Sequence, residues 1–329
     1  MRFLLRRLGF FVLTLWAALT LNFFIPKWMP GNPKQALIDR THHRLSDKAI
    51  DAMLASFGYK QGQNIFVQYL EYLKDQLTGD WGRSIGQNLG EPVSRIVGEA
   101  LPWTLGLVGL ATVLAFILGS LVGIVAGWRR GSKIDSVLPS VFVVTSALPY
   151  FWVALLLILF FSVWTNGLLP SDFSYDNAIP MGFSGEFVSS VLQHAVLPAA
   201  TIVITAVGGW VLTMRNNMIT TLAEDYIRMG RAKGLSNNRI MLNYAGRNAM
   251  LPNLSGFAMS LGFVISGAIL IEYVFNYQGL GYLLFNAVQN ADYPLMGTLF
   301  MLFTVAVLVA VFVCDFAIFL LDPRARAKG

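Results

Sequence analysis

The chain has 329 residues, 55% hydrophobic and only 13% charged, with a mean hydropathy of +0.59. Soluble domains carry about a quarter charged residues, so an ordinary soluble fold is excluded, and a single cysteine, Cys314, excludes a disulfide framework. The net charge of +6 does not mark a nucleic-acid binder, because the cations cluster beside apolar runs as membrane-flanking charges do.

Six stretches are long enough to cross about 30 Å of hydrocarbon: 8–29, 101–127, 136–164, 195–219, 249–276 and 297–321. The expected fold class is an all-α integral membrane protein with six transmembrane helices and a small helical insertion between the first two. The first stretch follows Arg2, Arg6 and Arg7. Its length, with no small-x-small cleavage site after it, favours a retained anchor over a signal peptide.

Residues 30–100 form the insertion. Pro30-Gly-Asn-Pro33 ends the first stretch in a turn. Ser46 to Gly58 reads as a capped amphipathic helix closed by Gly. Ile65 to Leu77 reads as a second, with Ile65, Tyr69, Tyr72 and Leu73 at helical spacing, and Gly79-Asp-Trp-Gly-Arg-Ser84 as a turn. The insertion is a solvated lid on the membrane surface or a docking surface for an external partner.

Between the fourth and fifth stretches lies Asp225-Tyr-Ile-Arg-Met-Gly-Arg-Ala-Lys-Gly-Leu235, followed by Asn248-Ala-Met-Leu-Pro252. Thr221-Leu-Ala-Glu224 has the form of a capping box, so a helix is expected from Thr221. Glu224 and Asp225 suit its positive end, and Arg228, Arg231 and Lys233 its negative end. Gly234 suits a left-handed closing position with Leu235 covering it, and Ser236 can cap a second helix running into the fifth stretch, with Pro252 inside it. The alternative is an ordinary basic loop.

The distribution of Lys and Arg gives the orientation. Fifteen of the 24 lie before the first stretch, at Arg129, Arg130 and Lys133, in 215–247, or after the last stretch at Arg324, Arg326 and Lys328. Segments 165–194 and 277–296 hold none. The positive-inside rule therefore puts both termini, the 128–135 loop and the 215–248 segment in the cytoplasm. The 27–100 region has nine cations balanced by eight acids and is long enough to translocate regardless.

Across its whole length the chain resembles the dipeptide/oligopeptide-type ABC importer permeases, of the first type. The resemblance rests on the 225–235 segment with Arg247-Asn-Ala-Met-Leu-Pro252, and on Arg6-Arg7-Leu, Ile25-Pro to Pro30-Gly-Asn-Pro33, Gly79-Asp-Trp-Gly-Arg-Ser84 and Pro149-x-Phe-Trp152. It continues through Gly267-Ala-Ile-Leu-x-Glu272, Phe275-x-x-x-Gly-Leu-Gly281, Asp292-Tyr-Pro294 and Asp322-Pro-Arg.

The resemblance implies an inner-membrane permease subunit forming half of a peptide pathway. Its expected partners are a second, homologous permease, two cytoplasmic ATP-binding subunits and an extracytoplasmic binding protein, with lipid around it and no nucleic acid. It divides the chain into 1–29, the insertion 30–100 and a core 101–329 with a coupling segment at 220–247. Asp225, Tyr226, Arg231, Ala232, Lys233, Gly234 and Leu235 carry over as ATPase-coupling residues. Arg228, Met229 and Gly230 stand where the general importer motif has Glu-Ala-Ala. Relatives carry oligosaccharides or nickel, so those cargoes stay open.

The residues agree with a non-catalytic role. No Gly-x4-Gly-Lys-Ser/Thr occurs, so the chain has no ATP site of this kind and no cofactor is expected on it; the resemblance implies that ATP and magnesium act in the partner subunits. His42, His43 and His194 have no zinc spacing. An ion-coupled carrier would hold buried charges in its spans. Only Glu272, expected at an aqueous mouth or a partner chain, and Asp315, expected to pair with Arg324 or Arg326, qualify. Gly208, Gly209, Gly256, Gly262, Ser266 and Gly267 are small enough for close helix approach, and Asn253, Ser255 and Ser260 are candidates to line a passage.

Overall fold

The computed structural model describes residues 2–28, 34, 38, 46–56, 62–86, 88–264 and 269–321. The Pro30–Pro33 turn, His42 and His43, Gly58, Ser266 and Gly267 and the cationic C-terminus lie outside them, as do the side chains of Cys314 and Asp315. The described residues are helical, with one isolated β-bridge between Arg83 and Pro92. They divide into two units.

The first unit comprises Met1–Thr104, Ile265–Ile269 and Gln278–Gly329. Its helices are α1 (Arg2–Trp28), α2 (Asp47–Ser56), α3 (Ile65–Thr78), the start of α4 (Val93–Trp128), and, late in the chain, α11 (Leu280–Gln289) and α12 (Tyr293–Leu321). Asn64 opens α3 by accepting from the Phe66 amide at 2.9 Å, and Gly79 closes it at φ 80°. The apolar face of the first turns of α4, Val93, Ile96, Val97 and Ala100, packs on Leu280, Leu284, Leu295, Met296 and Leu299. Thr104 Oγ accepts the free Leu280 amide at the α11 N-terminus (2.8 Å), a long-range cap.

A buried clasp ties the turn after α3 to the corner between α11 and α12. The Asp292 carboxylate accepts from Ser84 Oγ, from the amides of Ile85 (3.2 Å) and Gly86 (3.0 Å), and from Leu295 N (3.4 Å). Burial pushes the Asp292 carboxyl above the usual carboxylate range, against the opposing pull of these donors. Gly86 is obligatory here, since a Cβ would stand 2.4 Å from Asp292 Oδ2.

The second unit, Leu105–Val264 and Leu270–Tyr277, holds the rest of α4, α5 (Lys133–Ala147), α6 (Tyr150–Ile158), α7 (Gly185–Leu222), α8 (Asp225–Ala232), α9 (Arg247–Gly262) and α10 (Ile269–Val274), whose first residue belongs to the other unit. Its central contact is between α4 and α7. Gly119, Gly123 and Gly127 recur every four residues along α4. A Cβ on them would lie 2.4–2.6 Å from the Cβ atoms of Trp210, Met214 and Met218 on α7. Gly208 of α7 makes the matching approach to α5, where a Cβ would meet the Phe142 carbonyl oxygen at 2.5 Å.

Among the described residues four helices are long and apolar enough to span a membrane: Leu8–Ile25 within α1, α4, α7, and Tyr293–Val313 within α12. The third expected stretch is instead a bent pair, Asp135–Ala147 and Tyr150–Val163, at 92°. Pro149 lacks an amide hydrogen and drives Leu148 into an extended conformation (ψ 131°), which ends α5. The fifth is a 16-residue α9 and a six-residue α10 around the undescribed 265–268. Glu272, expected at an aqueous mouth or a partner chain, is fully buried within this chain.

Two outcomes test this packing. Gly123→Val lowers the melting temperature of the purified chain sharply, because two backbones must separate to admit it, whereas Gly98→Ala, with open space around it, leaves it level or raises it slightly. Asp292→Ala removes the buried acceptor shared by the Ser84 hydroxyl and the Ile85 and Gly86 amides, and leaving a buried donor unmatched costs about 1–3 kcal/mol; an unchanged thermal midpoint would remove the clasp from the account.

Candidate functional site

The elbow after α7 is built as follows. Helix α7 does not stop at Thr221 as the capping-box reading expects. It runs unbroken to Leu222, because its apolar face continues through Met214 and Met218, and Thr221 serves its last turn by accepting the Glu224 amide at 3.1 Å. Helix α8 starts two residues later on Glu224, whose side chain makes no cap; its backbone carbonyl accepts the Ile227 amide at 3.1 Å.

The other end agrees with the sequence. Gly234 adopts φ 73°. Leu235 N donates to Gly230 O (3.2 Å) and Gly234 N to Arg231 O (2.9 Å), the paired bonds of a Schellman closure. A new helix begins after Ser236, although its hydroxyl makes no cap. It passes through a π-helical stretch, Ile240–Gly246, into α9, which contains Pro252.

Helix α8 has two faces. Ile227 and Gly230 are buried, in a cluster formed by Ile124 of α4, Met214 and Met218 of α7, and Ile240, Ala245 and Ala249. Asp225, Arg228, Met229 and Ala232 are exposed on the opposite side, with Met229 57% exposed. Arg228 and Asp225 face each other at 3.5 Å on this surface, a solvated pair that contributes little.

The expected coupling residues divide accordingly. Arg231 does not project with Arg228; its guanidinium carbon lies 6.0 Å from the centroid of the Trp128 ring at the end of α4, a cation–π contact. The Tyr226 hydroxyl accepts from Asn248 Nδ2 at 2.9 Å, joining the two conserved-looking halves of the motif across the elbow. Lys233 and Gly234 are exposed at the closure, and Leu235 is half-buried beneath it. Arg228 and Met229, which the general motif makes look anomalous, are the residues the sequence reading passed over. Their signal was available: 225, 228, 229 and 232 share one helical face opposite 227 and 230.

Gly230 also becomes intelligible. A methyl group there would meet Leu235 Cδ1 at 3.7 Å and Ile240 Cγ1 at 3.9 Å, ordinary contact distances. The turn is packed around the position, and it accommodates the alanine usual in importers.

A second link joins the start of α5 to the later turns of α7. Asp135 accepts from Arg215 Nε at 2.5 Å and from the Gly131 amide at 2.9 Å. Asn217 Nδ2 donates to Ala249 O at 3.3 Å, tying α7 to α9.

Of the candidate lining residues, Asn253 is buried and donates to Ser120 of α4 at 3.4 Å. Ser255 and Ser260 are half-buried, the latter bonded to Phe257 O at 2.7 Å. Among the described residues no three His, Cys, Asp or Glu side chains group as metal ligands. His194 Nδ1 lies 2.8 Å from Ser190 O, one turn back on its own helix.

The Gly230 geometry gives a direct outcome. Gly230→Ala stabilises α8 by about 0.5–1 kcal/mol, the helical cost of glycine, and raises the melting temperature of the purified chain; a clear drop would mean that the turn has no room for a methyl group.

Residues 119–327, which contain this elbow, match the family model described as "Binding-protein-dependent transport system inner membrane component". Three relatives align over nearly the full length. The chain is 31% identical to the oligopeptide transport system permease protein AppB of Bacillus subtilis, over 92% of each chain. It is 31% identical to the di/tripeptide transport system permease protein DppB of Pseudomonas aeruginosa, over 98% of each. It is 32% identical to the dipeptide transport system permease protein DppB of Escherichia coli K12, over 100% of this chain and 99% of that one. A multi-pass membrane chain with a two-faced helical elbow and full-length likeness to these permeases belongs to the family of binding-protein-dependent transport system inner membrane components.

Proposed function

We propose that this chain is the non-catalytic permease subunit of an ATP-driven importer of di- or oligopeptides, and that α8 is the helix through which separate ATPase subunits move it. The observation that carries the reading is the division of α8 into a buried face locked to α4 and α7 and an exposed face that carries Asp225, Arg228, Met229 and Ala232. A helix packed this way travels with the spans as one body, so force on its outer face becomes movement of α4 and α7. The names of the aligned permeases support peptides as cargo; oligosaccharides and nickel are the alternatives.

In this reading ATP and magnesium act in two partner ATPases, a second homologous permease completes the pathway, and an extracytoplasmic binding protein delivers the cargo. The chain crosses the inner membrane six times with both termini in the cytoplasm, and the segment before α4 lies outside. Asp225, Tyr226, Arg231, Ala232, Lys233, Gly234 and Leu235 form the coupling element, to which we add Arg228 and Met229 as contact residues. Within the element Tyr226, Arg231 and Gly234 shape the elbow, and Asp225, Arg228, Met229 and Ala232 meet the ATPase. Ser255 and Ser260 line the passage, with Asn253 behind them in the helix interface.

Arg228→Glu with Met229→Asp abolishes co-purification of the ATPase subunits and peptide uptake while the chain inserts at normal levels. Trp128→Ala, which releases Arg231, lowers the melting temperature and weakens coupling only in part. Wild-type uptake in the double variant would overturn the assignment of the face.

A further inference from the structure

The sequence allows helix α3 to belong to a solvated lid on the membrane surface or to a docking surface, and its seating points to a deeper position. The Tyr69 hydroxyl is 2.7 Å from Thr20 Oγ on α1, and the rings of Tyr69 and Tyr72 lie 5.3 and 5.4 Å from that of Phe23. The apolar window of α1 extends to Ile25, so Thr20 lies about 7.5 Å inside its end at 1.5 Å per residue. A second, independent marker agrees. A Cβ on Gly297 of α12 would lie 4.0 Å from Tyr72 Cε2, and Gly297 is four residues, about 6 Å, inside the window that starts at Tyr293.

Beside this seated face, α3 shows an unpaired apolar stripe. Phe66 is 73% exposed, Leu70 64% and Leu77 74%. Lys74 borders the stripe, and Glu71 and Asp75 lie on the arc beyond it. In water such a stripe would be a liability. At a depth of several ångströms it is the expected design of an interfacial helix, whose apolar face lies about 5–10 Å below the headgroup boundary.

We propose that α3 is embedded in the leaflet at which α1 ends and α12 begins, with Phe66, Leu70 and Leu77 in contact with lipid acyl chains and its acidic and basic arc at the headgroups. The depth of the two anchors favours lipid as the occupant, because Thr20 and the exposed Leu21 beside it lie well inside the apolar window of α1. The insertion then braces the outer ends of α1 and α12 from within the bilayer.

The test uses the assembled transporter in phospholipid nanodiscs. On a Cys314→Ser background, nitroxide labels are placed at Phe66→Cys, Leu70→Cys, Leu77→Cys and, on the opposite arc, Asp75→Cys. Collision rates with dissolved oxygen and with a water-soluble nickel chelate are then compared. The expected ratio of oxygen to chelate access is several-fold higher at the three stripe positions than at Asp75. Ratios equal to that at Asp75 would restore the solvated lid, and shielding from both reagents would mean that protein covers the stripe; either overturns the proposal. A photoactivatable diacyl lipid with the unlabelled transporter gives an independent reading: crosslinks are expected in the peptide spanning Phe66–Leu77, and their absence there, with crosslinks present on α1, counts against it.

Discussion

Three glycines one turn apart let α4 and α7 meet at backbone distance, and the second unit depends on that contact. Without hydrocarbon–water contrast to drive helices together, association inside a bilayer rests on close packing, and small residues allow it. Gly119, Gly123 and Gly127 bring α4 under Trp210, Met214 and Met218. The last of these contacts leads into the cluster on which Ile227 of α8 rests. The elbow therefore stands on a closely packed seam of its unit, the stiff support that the proposed coupling role requires.

The elbow's own shape is set by short-range chemistry. The left-handed Gly234 reverses the chain at low cost, and two backbone bonds close α8 behind it. Tyr226 and Asn248 then bolt the returning strand of helix to the first. The π-helical stretch at Ile240–Gly246 lies where the returning segment meets the packed cluster, and such stretches often mark functional sites.

The sequence made the local features legible and left the long-range ones hidden. Helical periodicity located α3, the Gly79 closure and the Gly234 reversal, since each depends on a few adjacent residues. Thr221 was misread because a capping box is also an ordinary end of a long apolar helix, and α7 is continuous there. The bend at Leu148-Pro149 was readable from the proline and was overridden by the apolar run around it. The glycine repeat on α4 was equally visible, in spacing and in residue type. By contrast, nothing in Asp292 or Ser84 announces a partner some two hundred positions away, and Asn253 looked like a lining residue because its bond to Ser120 requires the fold.

The charges of the elbow carry two physical jobs that are easily confused. Lys and Arg near a span hold it on the cytoplasmic side, so replacing one perturbs topology as well as contact. Arg231 adds a third job through Trp128. Met229 carries none of these burdens: it is uncharged, largely exposed and on the face opposite Ile227. An exposed methionine beside cations is an adaptable anchor for a groove, and its loss changes neither the insertion signal nor the packing beneath α8. On the proposed reading, docking is therefore separable from folding and topology at that one side chain, even though the family signature draws attention to its neighbours.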